Sequence, residues 1–103
     1  MINQKSQYDK IASDMTQMLQ NEIRKKGLVK TGTMLKSVKL FVKQYPQGYN
    51  IELEAVDYFW ILDHEYKIID SMMATAAYKA TEEKIIELQA DAFVDKIDEE
   101  LFK

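Results

Sequence analysis

Few residues have the chemistry of a site. His64 is the single histidine, and it stands between Asp63 and Glu65. Adjacent side chains diverge, and no second histidine or cysteine is present to complete a metal shell. His64 therefore reads as a surface or interface residue rather than a ligand or an acid–base catalyst. Glu82-Glu83 and Glu99-Glu100 suit solvated helix faces better than convergent catalytic carboxylates. Gly27-x-x-x-x-Gly32 begins like a phosphate loop, but Thr33-Met34 follows where Lys-Ser or Lys-Thr is needed. The serine and threonine hydroxyls have no base paired with them by sequence. No enzyme activity, metal or cofactor is expected from these residues.

Attention then falls on the stretch from Gly27 to Val38, GLVKTGTMLKSV, which holds two of the three glycines. It lies inside a run without acidic residues between Glu22 and Glu52. The chain has 103 residues, net charge −3 and 30% charged residues, which suits one small soluble domain. The charge is divided along it. Met1 to Lys43 carries nine basic and three acidic side chains, a balance of +6. Gln44 to Lys103 carries five basic and fourteen acidic, a balance of −9. Such a molecule suits head-to-tail association, one copy's basic face meeting another's acidic face. Absence of cysteine excludes disulfides and thiolate metal sites. No apolar run approaches the ~18 residues of a membrane span, and the start Met1-Ile2-Asn3-Gln4-Lys5 lacks a signal-peptide core. Synthesis in the cytoplasm and no membrane partner are the expectations. The basic run Arg24, Lys25, Lys26, Lys30, Lys36, Lys39 and Lys43 has few aromatics interleaved, so an acidic protein partner is favoured over sequence-specific nucleic acid.

The elements that must position these residues follow from periodicity. Tyr8, Ile11, Ala12, Met15, Leu19 and Ile23, flanked by Met18, predict a helix from about Ser6 to Lys26. Asp9 and Asp14 lie early in it, Arg24-Lys25-Lys26 end it, and Gly27 offers a left-handed cap. Thr31 is a candidate cap for a short turn through Leu35-Lys36-Ser37, with an extended loop as the alternative. Val38 to Tyr45 and Tyr49 to Val56 alternate as strands around Pro46-Gln47-Gly48, which predicts a β-hairpin. Its lysine-bearing and glutamate-bearing strands suit charge pairing on the outer face, where Phe41 and Tyr45 also lie. Asp57 to Asp63 predicts a short helical turn or a third strand, and His64 to Ile69 a connection or edge strand. Asp70-Ser71 then offers an N-cap for a long helix from about Ser71 to Phe102. Met73, Ala76, Ala77 and Ala80 mark its first apolar face; Ile86, Ala90, Phe93, Ile97 and Leu101 mark a second, out of phase. A helix this long outruns a small core. The class is α+β: an N-terminal helix, an antiparallel hairpin or small sheet, and a long C-terminal helix packed on the sheet.

With these residues in view, the chain resembles the tail-completion or head–tail joining proteins of tailed bacteriophages, the neck or minor tail family. That family has a form like G-x-V-x-T-G-x-L-x-x-S-I after its first helix, matched here from Gly27 to Val38, with Met34 for leucine and Val38 for isoleucine. A second form, D-Y-A-x-x-V-E-Y-G-T, is approached by Asp57-Tyr58 and by Leu62-Asp63-His64-Glu65-Tyr66. Lys67 stands where the family has glycine, and Phe59-Trp60 replaces a small residue. The resemblance implies an α+β fold and a homo-oligomeric ring in the virion neck, contacting the adaptor and the tail tube. On that basis the interface is expected at Arg24, Lys25, Lys26, Lys30, Thr31, Gly32, Phe41, Tyr58, Phe59, Trp60 and Tyr66. The alternative is a small intracellular regulatory module that docks a partner protein through its long C-terminal helix.

Overall fold

The computed structural model describes residues 4–29 and 32–101, with backbone alone for residue 4 and residues 93–101. The first apolar stripe does what its period dictates. It forms α1, Gln4–Lys25, which buries Tyr8, Ile11, Met15, Leu19 and Ile23. Arg24 and Lys25 occupy the last turn, where they favour the negative end of the dipole. The first turn carries no acid, because Asp9 and Asp14 fall beyond it. Gly27, at φ 70°, stops the helix. Its N–H donates to the Arg24 carbonyl (3.0 Å), and the Leu28 N–H reaches back to Ile23 (3.1 Å). These paired bonds satisfy carbonyls that the helix end leaves open and turn the chain back over the core.

A second left-handed glycine, Gly32 at φ 79°, starts the short α2, Thr33–Ser37. No side-chain hydrogen bond caps it, and Thr31 lies outside the described residues. Ser37 closes it instead. Its hydroxyl donates to the Met34 carbonyl (2.7 Å) and accepts from the Val56 N–H (3.3 Å). The hairpin follows as β1, Lys39–Tyr45, and β2, Gly48–Glu54, linked by Pro46-Gln47 with Tyr45 opposite Gly48. Both strands are shorter than their alternating patterns, since Val38, Ala55 and Val56 stand outside the ladder. Leu40 is buried and Val42, Ile51 and Leu53 pack against the core. On the outer face, Lys43 Nζ meets Glu52 Oε2 at 2.9 Å across the ladder. That bond holds the lysine pKa above its usual value, in an exposed setting where salt screens it. Thr16 of α1 fixes the hairpin: its hydroxyl accepts from the Leu40 N–H (2.9 Å) and donates to the Ala12 carbonyl (2.9 Å).

Residues after the hairpin form helices, not strands. Asp57–Tyr66 is α3 and Ile68–Met73 is α4, so of the two alternatives at Asp57 to Asp63 the helical one holds, and the connection or edge strand at His64 to Ile69 is corrected. The choice is physical. Asp63 spends its carboxylate on the Ile69 N–H (2.7 Å), capping α4 from the preceding helix. Lys67 bridges the two helices at φ 54°, ψ 48°. Asp70-Ser71 therefore lies inside α4 and caps nothing longer. The last helix is α5, Ala76–Leu101, five residues later than its predicted start. Thr75 is its cap, accepting from the Tyr78 N–H (3.2 Å). The inward line of α5 is Tyr78, Thr81 and Ile85, with Leu88 packed beside it. Met73, Ala76, Ala77 and Ala80 face outward, which corrects the first expected apolar face.

The α+β class stands, with α1 at its centre: the hairpin, α4 and α5 all pack against it. Phe59, Ile68 and Met72 close the core around it. The molecule extends 58 × 22 × 18 Å, with a radius of gyration of 16.5 Å. A compact chain of this length has about 13 Å. The 26 residues of α5 span about 39 Å, which accounts for the elongation.

Candidate assembly surface

The two segments that carry the motif meet. Leu28, Val29, Gly32, Met34 and Leu35, from the glycine turn and α2, form one wall of a groove. Tyr58, Ile61, Leu62 and Tyr66, from α3, form the other. These α3 residues share one side because they recur at i, i+3, i+4 and i+8. The groove has a volume of about 310 Å³ and is walled chiefly by apolar side chains. Ile61 leaves 69% of its surface in water, and Val29, Tyr58 and Tyr66 are also exposed. These side chains form an exposed apolar concavity.

Several contacts set the groove's shape. Gln20 of α1 donates from Nε2 to the Leu35 carbonyl (3.1 Å), holding α2 down. The Schellman turn at Gly27 brings Leu28 back toward α1. Phe59 anchors α3 with no exposed surface, and its ring meets Trp60 edge-on at 5.3 Å and 80°.

The structure sorts the expected interface residues. Gly32, Tyr58 and Tyr66 line the groove. Phe59 is a core residue, which corrects its expected surface role; consecutive helix residues point about 100° apart, so burying Phe59 turns Trp60 outward. Trp60 is 45% exposed. Arg24 is exposed and donates to Asn21 Oδ1 (3.1 Å). Lys25 and Lys26 border a shallow depression with Glu22, Ser71, Ala74 and Thr75, where the end of α1 meets the α4–α5 corner. Phe41 is half-buried on the hairpin's outer face, 6.0 Å below the Lys39 ammonium, and takes no part in the groove. Lys30 and Thr31 lie outside the described residues. Leu28, Val29, Met34, Leu35, Ile61 and Leu62 were not among the expected residues. The spacing of Tyr58, Ile61, Leu62 and Tyr66 is a helical signal, hidden while a strand remained possible.

Asp63 bonds the Ile69 N–H, and His64 projects into solvent beside it. Among the described residues no group of three or more His, Asp or Glu side chains is placed to hold a metal ion. No described helix is long and apolar enough to cross a membrane. Among the described residues, Tyr78 has its pKa shifted well above the ordinary tyrosine value. Burial and the neighbouring Glu82 carboxylate push it up to about 12. That is a packing effect on the inner side of α5. The chain matches no protein-family model, no curated protein and no solved structure.

Proposed function

We propose that this chain is a structural ring component of a bacteriophage neck or tail, joining head to tail by assembly. One observation carries the reading: the glycine-rich segment and the Asp57–Tyr66 segment, which are the two parts of the family resemblance, converge on a single exposed apolar groove. These segments leave Val29, Tyr58, Ile61 and Tyr66 in water. Lys67 adds support. It occupies the family's glycine position, and its φ of 54° belongs to the region glycine favours. The partners on this reading are further copies of the chain, the portal-side adaptor and the tail tube, and the working location is the virion.

Deleting the gene from its phage tests the reading. The expected outcome is filled heads and free tails that fail to join, with the protein recovered from wild-type particles by mass spectrometry. Normal joined particles lacking the protein would overturn it. The second reading, a regulatory module docking through α5, is favoured by the outward exposure of Ile86 on that helix. It predicts a monomer or dimer that never enters particles.

A further inference from the structure

The hairpin leaves one edge of its sheet open. The sheet has two strands, β1 and β2. Leu40 sends its N–H to the Thr16 hydroxyl of α1 (2.9 Å), away from β2. Leu40 and Leu53 are therefore an opposed pair that exchanges no ladder hydrogen bonds. Alternation makes Val42–Ile51 and Gln44–Tyr49 pairs of the same kind. Tyr49, Ile51 and Leu53 thus aim their N–H and C=O groups out of the far edge of β2. Among the described residues nothing bonds them there. Edge strands are commonly guarded by proline, lysine, a bulge or an inward-pointing charge. The β2 sequence GYNIELE has no proline or lysine, and its register with β1 is unbroken. Tyr49, Ile51 and Leu53 pack half-buried against the core, while Asn50, Glu52 and Glu54 are exposed on the outer face.

The two glutamates decide what can add to this edge. We infer that β2 of one copy pairs antiparallel with β2 of a second copy about a twofold axis at Ile51, joining two hairpins into one four-stranded sheet. In that register Ile51 faces Ile51, and Tyr49 faces Leu53 of the second copy. All three outward residues then exchange hydrogen bonds, and the apolar inner face runs on across the axis. On the outer face Asn50 meets Glu52 and Gly48 meets Glu54, so no like charges are opposed. Sliding the strands one pair step in one direction sets Glu52 against Glu52. Sliding them the other way carries Leu53 past the end of the facing strand. The strand thus complements itself in a single register. The contact is isologous and closes at two copies. It uses no residue of the groove and does not rest on the ring reading.

The chain lacks cysteine, so disulfides can report the register. One population carries Asn50→Cys and another Glu52→Cys, both at exposed positions on the outer face. They are mixed and mildly oxidised. The inferred register opposes these positions in a pair without hydrogen bonds, with Cα atoms ~4.5 Å apart and within disulfide reach. The expected product is a mixed disulfide dimer, in excess over either homotypic one. Asn50→Glu should weaken dimerisation about tenfold in sedimentation equilibrium, because the new carboxylate opposes Glu52 of the second copy. Within its own hairpin it faces Lys43, so the thermal midpoint of the dilute monomer should not fall. Adding Glu52→Lys to that variant should restore the dimer. Homotypic disulfides in excess, or a dimer indifferent to Asn50→Glu, would overturn the inference. Rings that form without any mixed disulfide would overturn it too and leave the ring reading standing. Mixed disulfides without rings would uphold it and count against the ring reading.

Discussion

At the scale of single residues, the left-handed backbone at two positions makes opposite predictions for stability. Lys67 pays for a left-handed conformation that disfavours a Cβ, so Lys67→Gly should stabilise the fold by about 1 kcal/mol. Gly32 holds φ 79°, and a Cβ there would meet nothing within 4 Å. Gly32→Ala should therefore destabilise by about 1 kcal/mol through the backbone alone, not through a clash. Paired urea titrations of the two variants check both signs. Tyr78 gives a pH prediction. Its native pKa of about 12 lies above the unfolded value of ~10, so the folded chain keeps a proton that the unfolded chain releases. Stability from this group is fully present below pH ~10 and is lost as pH rises toward ~12. Urea midpoints between those values should fall, and Tyr78→Phe should flatten the fall. Buried Tyr8 and half-buried Tyr49, whose pKa values burial also raises, leave a smaller residual slope.

At the scale of elements, the α4–α5 corner depends on one hydroxyl. Thr75 accepts from the Tyr78 N–H and donates to the Met72 carbonyl (2.7 Å), so it closes α4 and opens α5 together. Thr75→Ala should cost about 1 kcal/mol, and Thr75→Ser should recover most of it, read from thermal melts monitored by circular dichroism. This corner also marks where sequence stops being legible. The α1 stripe is decisive because six apolar side chains recur at one period and Gly27 ends it. The hairpin is equally plain from alternation and Pro46-Gln47-Gly48. The start of α5 is not, because Asp70-Ser71 has the form of a cap while its neighbours are already capped by the distant Asp63 carboxylate. The inner side of α5 is hidden for another reason. Alanines tolerate either environment, while Thr81 enters the core with its hydroxyl bonded to the Ala77 carbonyl (2.8 Å). A third of the groove is legible in the sequence through Gly32, Tyr58 and Tyr66. Ile61 and Leu62 are not, since their meaning depends on α3 being helical.

At the scale of the whole molecule, charge and shape point the same way. The groove lies where the glycine turn of the basic N-terminal portion meets α3 of the acidic portion, which also includes the long helix α5. Association driven by this division should weaken with salt, because exposed charges are screened beyond ~8 Å at physiological ionic strength. Reversing Lys25 and Lys26 to glutamate should reduce self-association and flatten its salt dependence, measured by sedimentation velocity. Unchanged assembly with the same salt sensitivity would remove those two lysines from the interface. The most direct measurement of the central claim is electron microscopy of the purified protein beside intact particles. The account predicts closed rings of one copy number, and a matching layer where head meets tail. A protein that stays monomeric and is missing from that layer would contradict it.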